Sequence, residues 1–434
     1  MTSAGRWVRD AVVGRFLNRG PRLMWALAYA WRRILWRTTF VAVTGSLGKT
    51  TAKECMATCL RARFPTARSR GNQNSGAWLA LNILRVRPWH RYAVLEVSAG
   101  VRGQIARAAR LVRPDVAVVL SIARTHTNEY PSLAANAAEK AELLAALRPG
   151  GLAVLNADDP RVAAMRPPAG CDVIWFGTCA RAGIRGRVIE QRWPARLSLQ
   201  VERGSETATA RTQLVGAHWT PAVLAALAVA GRAGVPLAAA AEALGRVSPF
   251  PGRFQPVRLP NGAVILRDDY NGAVDTLDAA VRVLAEAVAE RRILLVSDVS
   301  DSGEHRPQRL RLLARVAAAS AELALFVGEE AAYGRRRAIA AGLAPDRVHA
   351  FATLAAATEF LRGELRAGDL LLLKGRTSDH TARVFHALLG PIRCWKPTCP
   401  RRILCDDCWE LGVGAASARG ATLVPAPLAT PFAR

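Results

Sequence analysis

The sequence predicts two α/β units in tandem, with a basic helical extension in front and a short cysteine-rich segment behind. Three observations carry that prediction. Short apolar runs bounded by Gly, Asp or polar turns alternate with Ala-rich helical stretches, the texture of a parallel sheet covered on both faces. One of those runs feeds a glycine-bearing turn that opens a helix, the local shape of a phosphate cradle. The alternation then breaks at Pro249, Pro251 and Gly252 and resumes beyond them.

At 434 residues the chain is long enough for two or three domains. Hydrophobic residues make up 51% and charged residues 22%, ordinary values for a globular protein that exclude long-range disorder. The net charge of +26 calls for an anionic partner: a polyanion, an anionic membrane surface, or ligands that bear phosphate. Only five of the 60 basic residues are lysines (Lys49, Lys53, Lys140, Lys374 and Lys396). Where Arg serves as the generic cation, Lys is left for places that need a compact or reactive amine. No apolar run is long enough to span a bilayer, so an integral membrane protein is not expected.

Residues 1–37 carry eight Arg and one acid, Asp10, interleaved with Trp7, Phe16, Trp25, Tyr29, Trp31 and Trp36. Pro21 is expected to divide this section into two helices, the second holding the apolar run Leu23–Trp31 before Arg32 and Arg33. An interfacial amphipathic segment and a basic helix packed on its own domain both fit. Ala28-Tyr29-Ala30 has the shape of a signal-peptide cleavage site, but a nucleotide loop follows within some fifteen residues, which argues against export.

From residue 38 to 248 the reading is a P-loop, parallel-sheet ATP-binding domain. Phe40–Thr44, Tyr92–Val97, Val116–Ile122 and Leu152–Asn156 read as buried strands. The Arg-rich, alternating stretch 180–213 suggests an antiparallel extension of the sheet, and a long Ala-rich helix follows over about 221–245. From 249 to 392 strands near 263–268, 293–297, 323–327 and 370–373 predict a smaller Rossmann-like domain. Residues 393–411 form the four-cysteine segment, and the Ala-, Gly- and Pro-rich 412–434 are expected to be a disordered tail.

Val41-Ala-Val-Thr-Gly-Ser-Leu-Gly-Lys-Thr-Thr51 is the strongest local signal. Gly45, Ser46 and Gly48 shape a turn whose backbone N–H groups, with the following helix dipole, can cradle phosphates. Lys49 would neutralise the β- and γ-phosphates, and the hydroxyl of Thr50, beside Thr51, would ligate Mg²⁺. Val43 occupies the place of the usual first glycine, so the loop is a shortened variant. Glu96 ends a predicted strand, where α/β ligand sites lie; a carboxylate there beside a phosphate loop would suit Mg²⁺, and an isolated Glu would otherwise be a solvated loop residue.

At this point the sequence resembles the Mur ligases, ATP-dependent amide-bond-forming enzymes, and most of all the D-alanyl-D-alanine-adding type. The resemblance covers about 40–390 as successive motifs in one order. It implies that Asn72 and Asn74, in Gly71-Asn-Gln-Asn-Ser-Gly76, lie near substrate. It implies that Glu96 and His126 help hold Mg²⁺, and that Lys140 carries a carbamate that organises a second metal. His218, in Gly216-Ala-His-Trp-Thr220, is expected at the nucleotide, with Trp219 and Ala222 where the family has Asn. Adenine contacts are therefore expected to change, with Trp219 offering a stacking surface.

In the second domain the resemblance implies that Arg253 reaches the γ-phosphate across the cleft. Asp269, Tyr270, Asn271 and Asp298 are expected at the nucleotide, Asp269 on the ribose and Tyr270 near the base. Gly272-Ala-Val stands where the family usually has Ala-Asn-Pro. Lys374 and Arg376 are expected to meet the carboxylate of the incoming amine substrate. The family also has an N-terminal domain that grips a UDP-sugar carrier, and only 37 residues precede the ATP strand here. The carboxyl donor is thus expected to be held in another way, and a lipid-borne or other peptide-like donor would suit the basic aromatic N-terminus.

Cys394, Cys399, Cys405 and Cys408 fall within fifteen residues, a density that suits a tetrahedral Zn²⁺ site. An iron–sulfur cluster and unligated thiols stay open. The other cysteines (Cys55, Cys59, Cys171 and Cys179) are expected to be buried. The expected activity is ATP-dependent joining of a carboxylate to an amine through an acyl phosphate. The expected location is the cytoplasm, including the inner face of the membrane. A non-catalytic ATP-binding module is the alternative, motivated by Trp219 and Ala222. Nucleic acid is not an expected partner, because the basic residues are spread widely and no recognition motif is present.

Overall fold

A computed structural model describes residues 21–124, 130, 132–272, 274–297, 306–396, 399, 404–412 and 422–426. His126 and Asp298 therefore lie outside the described residues, as do the first of the two N-terminal helices expected and most of 412–434.

The first unit is a nine-stranded sheet in the order β2-β3-β1-β4-β5-β6-β7-β8-β9. It is built from β1 (Thr39–Thr44), β2 (Thr66–Arg68), β3 (Tyr92–Glu96), β4 (Val116–Val119), β5 (Leu152–Asn156), β6 (Asp172–Gly177), β7 (Ile184–Glu190), β8 (Ser198–Arg203) and β9 (Glu206–Arg211). The strands from β2 to β7 pair in parallel, and β7, β8 and β9 turn back on one another antiparallel, as the alternation in 180–213 implied. The parallel strands are buried along their length, which is why they read as continuous apolar runs.

Helices α1 (Pro21–Ile34), α2 (Lys49–Arg61), α3 (Gly76–Leu84), α4 (Gln104–Val112), α5 (Leu133–Ala145) and α6 (Pro160–Ala163) follow or precede these strands. The Ala-rich stretch is two helices, α7 (Thr220–Arg232) and α8 (Leu237–Leu244). Gly234, at φ 76°, and Pro236 break it, because a left-handed residue followed by one without an N–H cannot continue the ladder. α7 is buried on nearly every face and packs on α2, so it forms the centre of the core.

The second unit is a seven-stranded sheet in the order β14-β13-β12-β15-β11-β10-β16. Its elements are β10 (Gln255–Arg258), β11 (Val264–Asp268), α9 (Val274–Glu286), β12 (Arg291–Val296), α10 (Arg306–Ser320), β13 (Leu323–Val327), α11 (Ala331–Ala340), β14 (Val348–Phe351), α12 (Leu354–Glu364), β15 (Asp369–Lys374), α13 (Ala382–Leu389) and β16 (Thr422–Leu423). β10 and β16 are antiparallel edge strands and the rest are parallel.

β16 corrects the expectation of a wholly disordered tail. It pairs with β10, and the residues after it reach the first unit. There Arg196 donates to the carbonyl of Val424 at 2.7 Å, and the N–H of Ala426 donates to Gln213 at 2.9 Å. Two cysteines expected inside, Cys171 and Cys179, are half-buried because they sit in the turns at either end of β6; Cys55 and Cys59 are buried in α2. α1 packs by Met24, Ala28 and Leu35, and Arg32 donates to the carbonyls of Val112 and Arg113 and to Asp115.

Candidate active site

Both sheets place their chemistry at the carboxyl ends of parallel strands, beside the strand where the order reverses. In the first unit β1 lies between β3 and β4, and the loop after β1 opens α2. Gly48 caps α2 at φ 79°, a conformation that a side chain would oppose. At Gly45 an added Cβ would lie 3.0 Å from Leu120 Cβ, so the backbone of the next strand's end can press against the loop. That contact explains why β4 stops at Val119 and not at Ile122. The following residues serve the loop instead: Ser46 N–H donates to the carbonyl of Ser121 at 2.8 Å, and Ala123 N–H donates to Ser46 Oγ at 2.8 Å.

Glu96 stands next to Val43 in the sheet register. Its two oxygens are both engaged: Thr50 donates to Oε2 at 2.9 Å and Asn74 donates to Oε1 at 2.8 Å. Phosphate-loop hydroxyl, strand-end carboxylate and the Asn loop thus meet at one buried group. The oxygens of Thr50 and Glu96 are the hard ligands that Mg²⁺ takes, and the hydroxyl of Thr44, at the end of β1, is buried without a hydrogen-bond partner. The residues present fit that ion.

Lys49 folds back onto its own loop, donating to the carbonyls of Gly45 at 2.7 Å and Ser46 at 3.2 Å. Burial lowers its pKa to about 8, Arg253 pushing the same way and Glu96 opposing. Lys140 is buried too, on α5. Burial and the charge of Lys49 bring it down to about 7, against the pull of Glu139. Its ammonium donates to Asn136, whose amide donates to the carbonyl of Ala123 at 2.8 Å and to Ser46 Oγ at 3.4 Å. Lys140 is thereby wired to the phosphate loop.

The second unit closes over this group. Arg253 stacks on the ring of Tyr270, 4.3 Å from its centroid, and the hydroxyl of Tyr270 accepts a hydrogen bond from Asn72 across the crevice. Burial raises the Tyr270 phenol above its ordinary value, with Glu96 adding to it and Arg253 opposing. Arg253 therefore acts on both Lys49 and Tyr270, and the two units share one crevice. Along the same seam His218 packs between Trp219 and Phe254, at centroid distances of 4.5 and 4.7 Å. Burial holds His218 neutral, with a pKa of about 3. His218 Nε2, Trp219 Nε1, Thr220 Oγ1, Arg253 Nε and Asp269 Oδ1 are all buried without a hydrogen-bond partner. Such a concentration of unsatisfied polar atoms is what a bound polar ligand relieves.

Of the two expected acceptor contacts, Lys374 comes out differently and Arg376 keeps room for one. Lys374 is fully buried and spends its three N–H groups on Asp268 at 2.8 Å, the carbonyl of Asn271 at 2.7 Å and Thr276 at 2.9 Å. The register that pairs Asp268 with Lys374 makes this possible. Lys374 thus braces the Asp268–Asn271 turn and has no donor left for a substrate carboxylate. Arg376 is held by Asp379 at 2.7 Å and keeps part of its guanidinium exposed.

Two site neighbours were not foreseen. Lys53, one turn after Lys49, is buried and donates to the carbonyls of Ser69 at 2.9 Å and Gly71, fixing the strand that leads into Asn72 and Asn74. Asn136 lies one turn before Lys140. For both, the available signal is helical spacing from a lysine already singled out.

Cys394, Cys399, Cys405 and Cys408 line one small cavity with His380, and Cys405 Sγ lies 3.4 Å from His380 Nδ1. Among the described residues no group of three His, Cys, Asp or Glu is set to hold a metal ion, so the zinc expectation is not supported.

Residues 43–230 match the Mur ligase middle domain, and residues 252–377 match the Mur ligase glutamate ligase domain. The UDP-N-acetylmuramoyl-tripeptide–D-alanyl-D-alanine ligase of Escherichia coli K12 is 30% identical over 325 residues, 74% of this chain and 71% of that protein. The chain belongs to the Mur ligase family. It is an ATP-dependent ligase that joins a carboxylate to an amine. The ligase of the same name from Mycobacterium tuberculosis H37Rv is 29% identical over 389 residues, 85% of this chain and 76% of that one. Among solved structures, MurF from Acinetobacter baumannii superimposes with a TM-score of 0.76 at 25% identity, covering 84% of this chain and 79% of that one. MurF from Thermotoga maritima in complex with ADP gives 0.73 at 21% identity over 85% and 83%.

Proposed function

We propose that this Mur ligase activates the carboxylate of a peptide donor with ATP and passes it to the amine of a dipeptide of the D-alanyl-D-alanine type. A donor carboxylate oxygen attacks the γ-phosphorus, the bond to the β-phosphate oxygen breaks, and ADP leaves. The acceptor amine then attacks the acyl carbon, phosphate leaves, and the nitrogen gives up a proton.

The chain's own groups divide the work by position. The loop from Gly45 to Thr51 cradles the phosphates by its N–H groups, and Lys49 and Arg253 offset their charge from opposite walls of the crevice. Thr50 and Glu96 would hold Mg²⁺, which neutralises phosphate charge when bound. Lys140, with a pKa near 7, is partly neutral near neutral pH; its neutral amine would add CO₂ and release a proton to give a carbamate, and that anion would extend the metal site. Asp269, Tyr270 and His218 face the nucleoside; Asn72 and Asn74 face the donor; Arg376 faces the acceptor.

The observation that supports this reading is the joint hold of Thr50 and Asn74 on Glu96, which leaves the phosphate loop and the Asn72–Asn74 loop one side chain apart. The test is ADP release from the full chain with ATP and Mg²⁺, UDP-N-acetylmuramoyl-tripeptide or a lipid-linked peptide as donor, and D-alanyl-D-alanine as acceptor. Release that requires both partners, with the mass of the amide product, is expected. ADP binding without turnover on any donor and acceptor pair would overturn it in favour of a non-catalytic module.

A further inference from the structure

α1 has two apolar sides, and only one of them is used. Met24, Ala28 and Leu35 are buried against the first unit, and Trp31 donates its indole N–H to the carbonyl of Val86 at 2.9 Å, so the helix is firmly seated on α3 and α4. At roughly 100° per residue, Leu23, Leu27, Ala30 and Ile34 fall in a sector about 60° wide beside that packed face. They point into solvent: Leu23 is 59% exposed, Leu27 53% and Ile34 60%. Trp36, 74% exposed, continues the strip past the helix end, and Trp89 is 69% exposed on a nearby loop. The loop carrying Trp89 is tied there, since Thr38 donates to the carbonyl of His90 at 2.7 Å and Arg91 donates to the carbonyl of Arg37 at 3.0 Å.

Charge surrounds this strip with one sign. Arg22, Arg33, Arg37, Arg87 and Arg91 are exposed around it, Arg33 lying over Tyr29 and Arg37 over Trp36. Residues 11–114 contain only two acids, Glu54 and Glu96. Neither offsets the patch: Glu54 is paired with Lys53 and Arg68, and Glu96 is buried in the crevice. Exposed Leu and Ile, Trp residues at the margin and a rim of Arg are the parts of a helix that lies in a lipid headgroup layer. A nucleic acid would use the arginines but leave the aliphatic strip wet.

We propose that α1, with Trp36 and Trp89, docks this chain on an anionic lipid bilayer as a peripheral protein. The apolar strip enters the headgroup boundary and the arginines meet lipid phosphates. α1 packs on α3, a nine-residue helix, about 13 Å long, whose first turn follows the loop of Asn72 and Asn74. The docked face and the donor end of the crevice are therefore neighbours, which suits a lipid-borne donor; that corollary alone rests on the ligase reading above.

The test is co-sedimentation of the full chain with vesicles of phosphatidylcholine alone and of phosphatidylcholine with phosphatidylglycerol. Binding to the anionic vesicles only, weakened by salt, is expected. Leu27→Glu, Ile34→Glu and Trp36→Glu should each weaken it about tenfold or more, and Arg33→Glu with Arg37→Glu likewise. ADP binding by the same variants serves as the folding control and should not change, because none of these residues touches the crevice. Equal vesicle binding by folded variants would overturn the proposal. So would a wild-type dimer in solution that Leu27→Glu dissociates, which would make a second copy the occupant. Retention of duplex DNA at physiological salt without vesicle binding would overturn it as well.

Discussion

Arg267 donates to both oxygens of Asp406, at 2.6 and 2.9 Å, while the same guanidinium meets Asp269 at 3.2 Å. Burial alone would lower the Arg267 pKa, but the two carboxylates hold it above its ordinary value, and Asp406 in turn lies well below the usual carboxylate range. A residue of the cysteine segment thus orients the side chain that fixes Asp269, the residue we propose to meet the nucleoside. Asp406→Asn leaves Arg267 with one charged partner, and we expect about 2 kcal/mol of lost stability with ADP affinity weakened several-fold. Thermal unfolding and ADP titration check both; an unchanged ADP affinity would separate the segment from the site.

Lys49→Ala should remove donor- and acceptor-dependent ADP release by about 10² to 10³-fold, the scale of a lost charge-stabilising donor. Turnover at the wild-type rate in that variant would contradict the role given to Lys49.

Lys374→Met is expected to act on folding, not on acceptor binding. It leaves Asp268 buried and unpaired, a change on the order of 3–5 kcal/mol. The expected readout is a lowered Tm with the acceptor KM of the surviving folded fraction unchanged. A raised acceptor KM at wild-type Tm would return Lys374 to substrate contact.

Lys140 gives a pH dependence with a defined sign. Burial lowers its pKa in the folded chain to about 7 from the ordinary lysine value of about 10.5, so the unfolded chain binds more protons between those values. Stability should therefore rise with pH from about 7 to about 10.5 through this residue, by about 1.4 kcal/mol per pH unit. Lys140→Met should remove that much of the slope, read from urea unfolding across the range; an identical slope would place the amine in solvent.

The arrangement of strands was legible because buried parallel strands are written as uninterrupted apolar runs, as at Phe40–Thr44 and Leu152–Asn156. β2, β6, β10, β14 and β16 were not read: all but β6 are two to four residues long, and β6 is exposed at its start. The phosphate loop could be placed from the sequence because glycine spacing is a local property, whereas Glu96 reaches it only through the pairing of β1 with β3 and was singled out by the family resemblance. Lys374 was misjudged for a physical reason. Its three partners come from β11, the turn after it and the first turn of α9, about a hundred residues earlier, and only the sheet register brings them together. The Asn72–Tyr270 contact across the crevice is likewise a product of how the units meet, which no local pattern encodes.

Residues 422–426 belong to both halves of the molecule at once: β16 extends the second sheet, and Arg196 and Gln213 of the first unit grip the backbone just after it. Those few residues act as a strap, so any swing that opens the crevice for nucleotide exchange must stretch or release it. Trimming the protein after Leu411 would cut the strap while sparing every side chain assigned to chemistry, leaving a ligase whose halves part more freely.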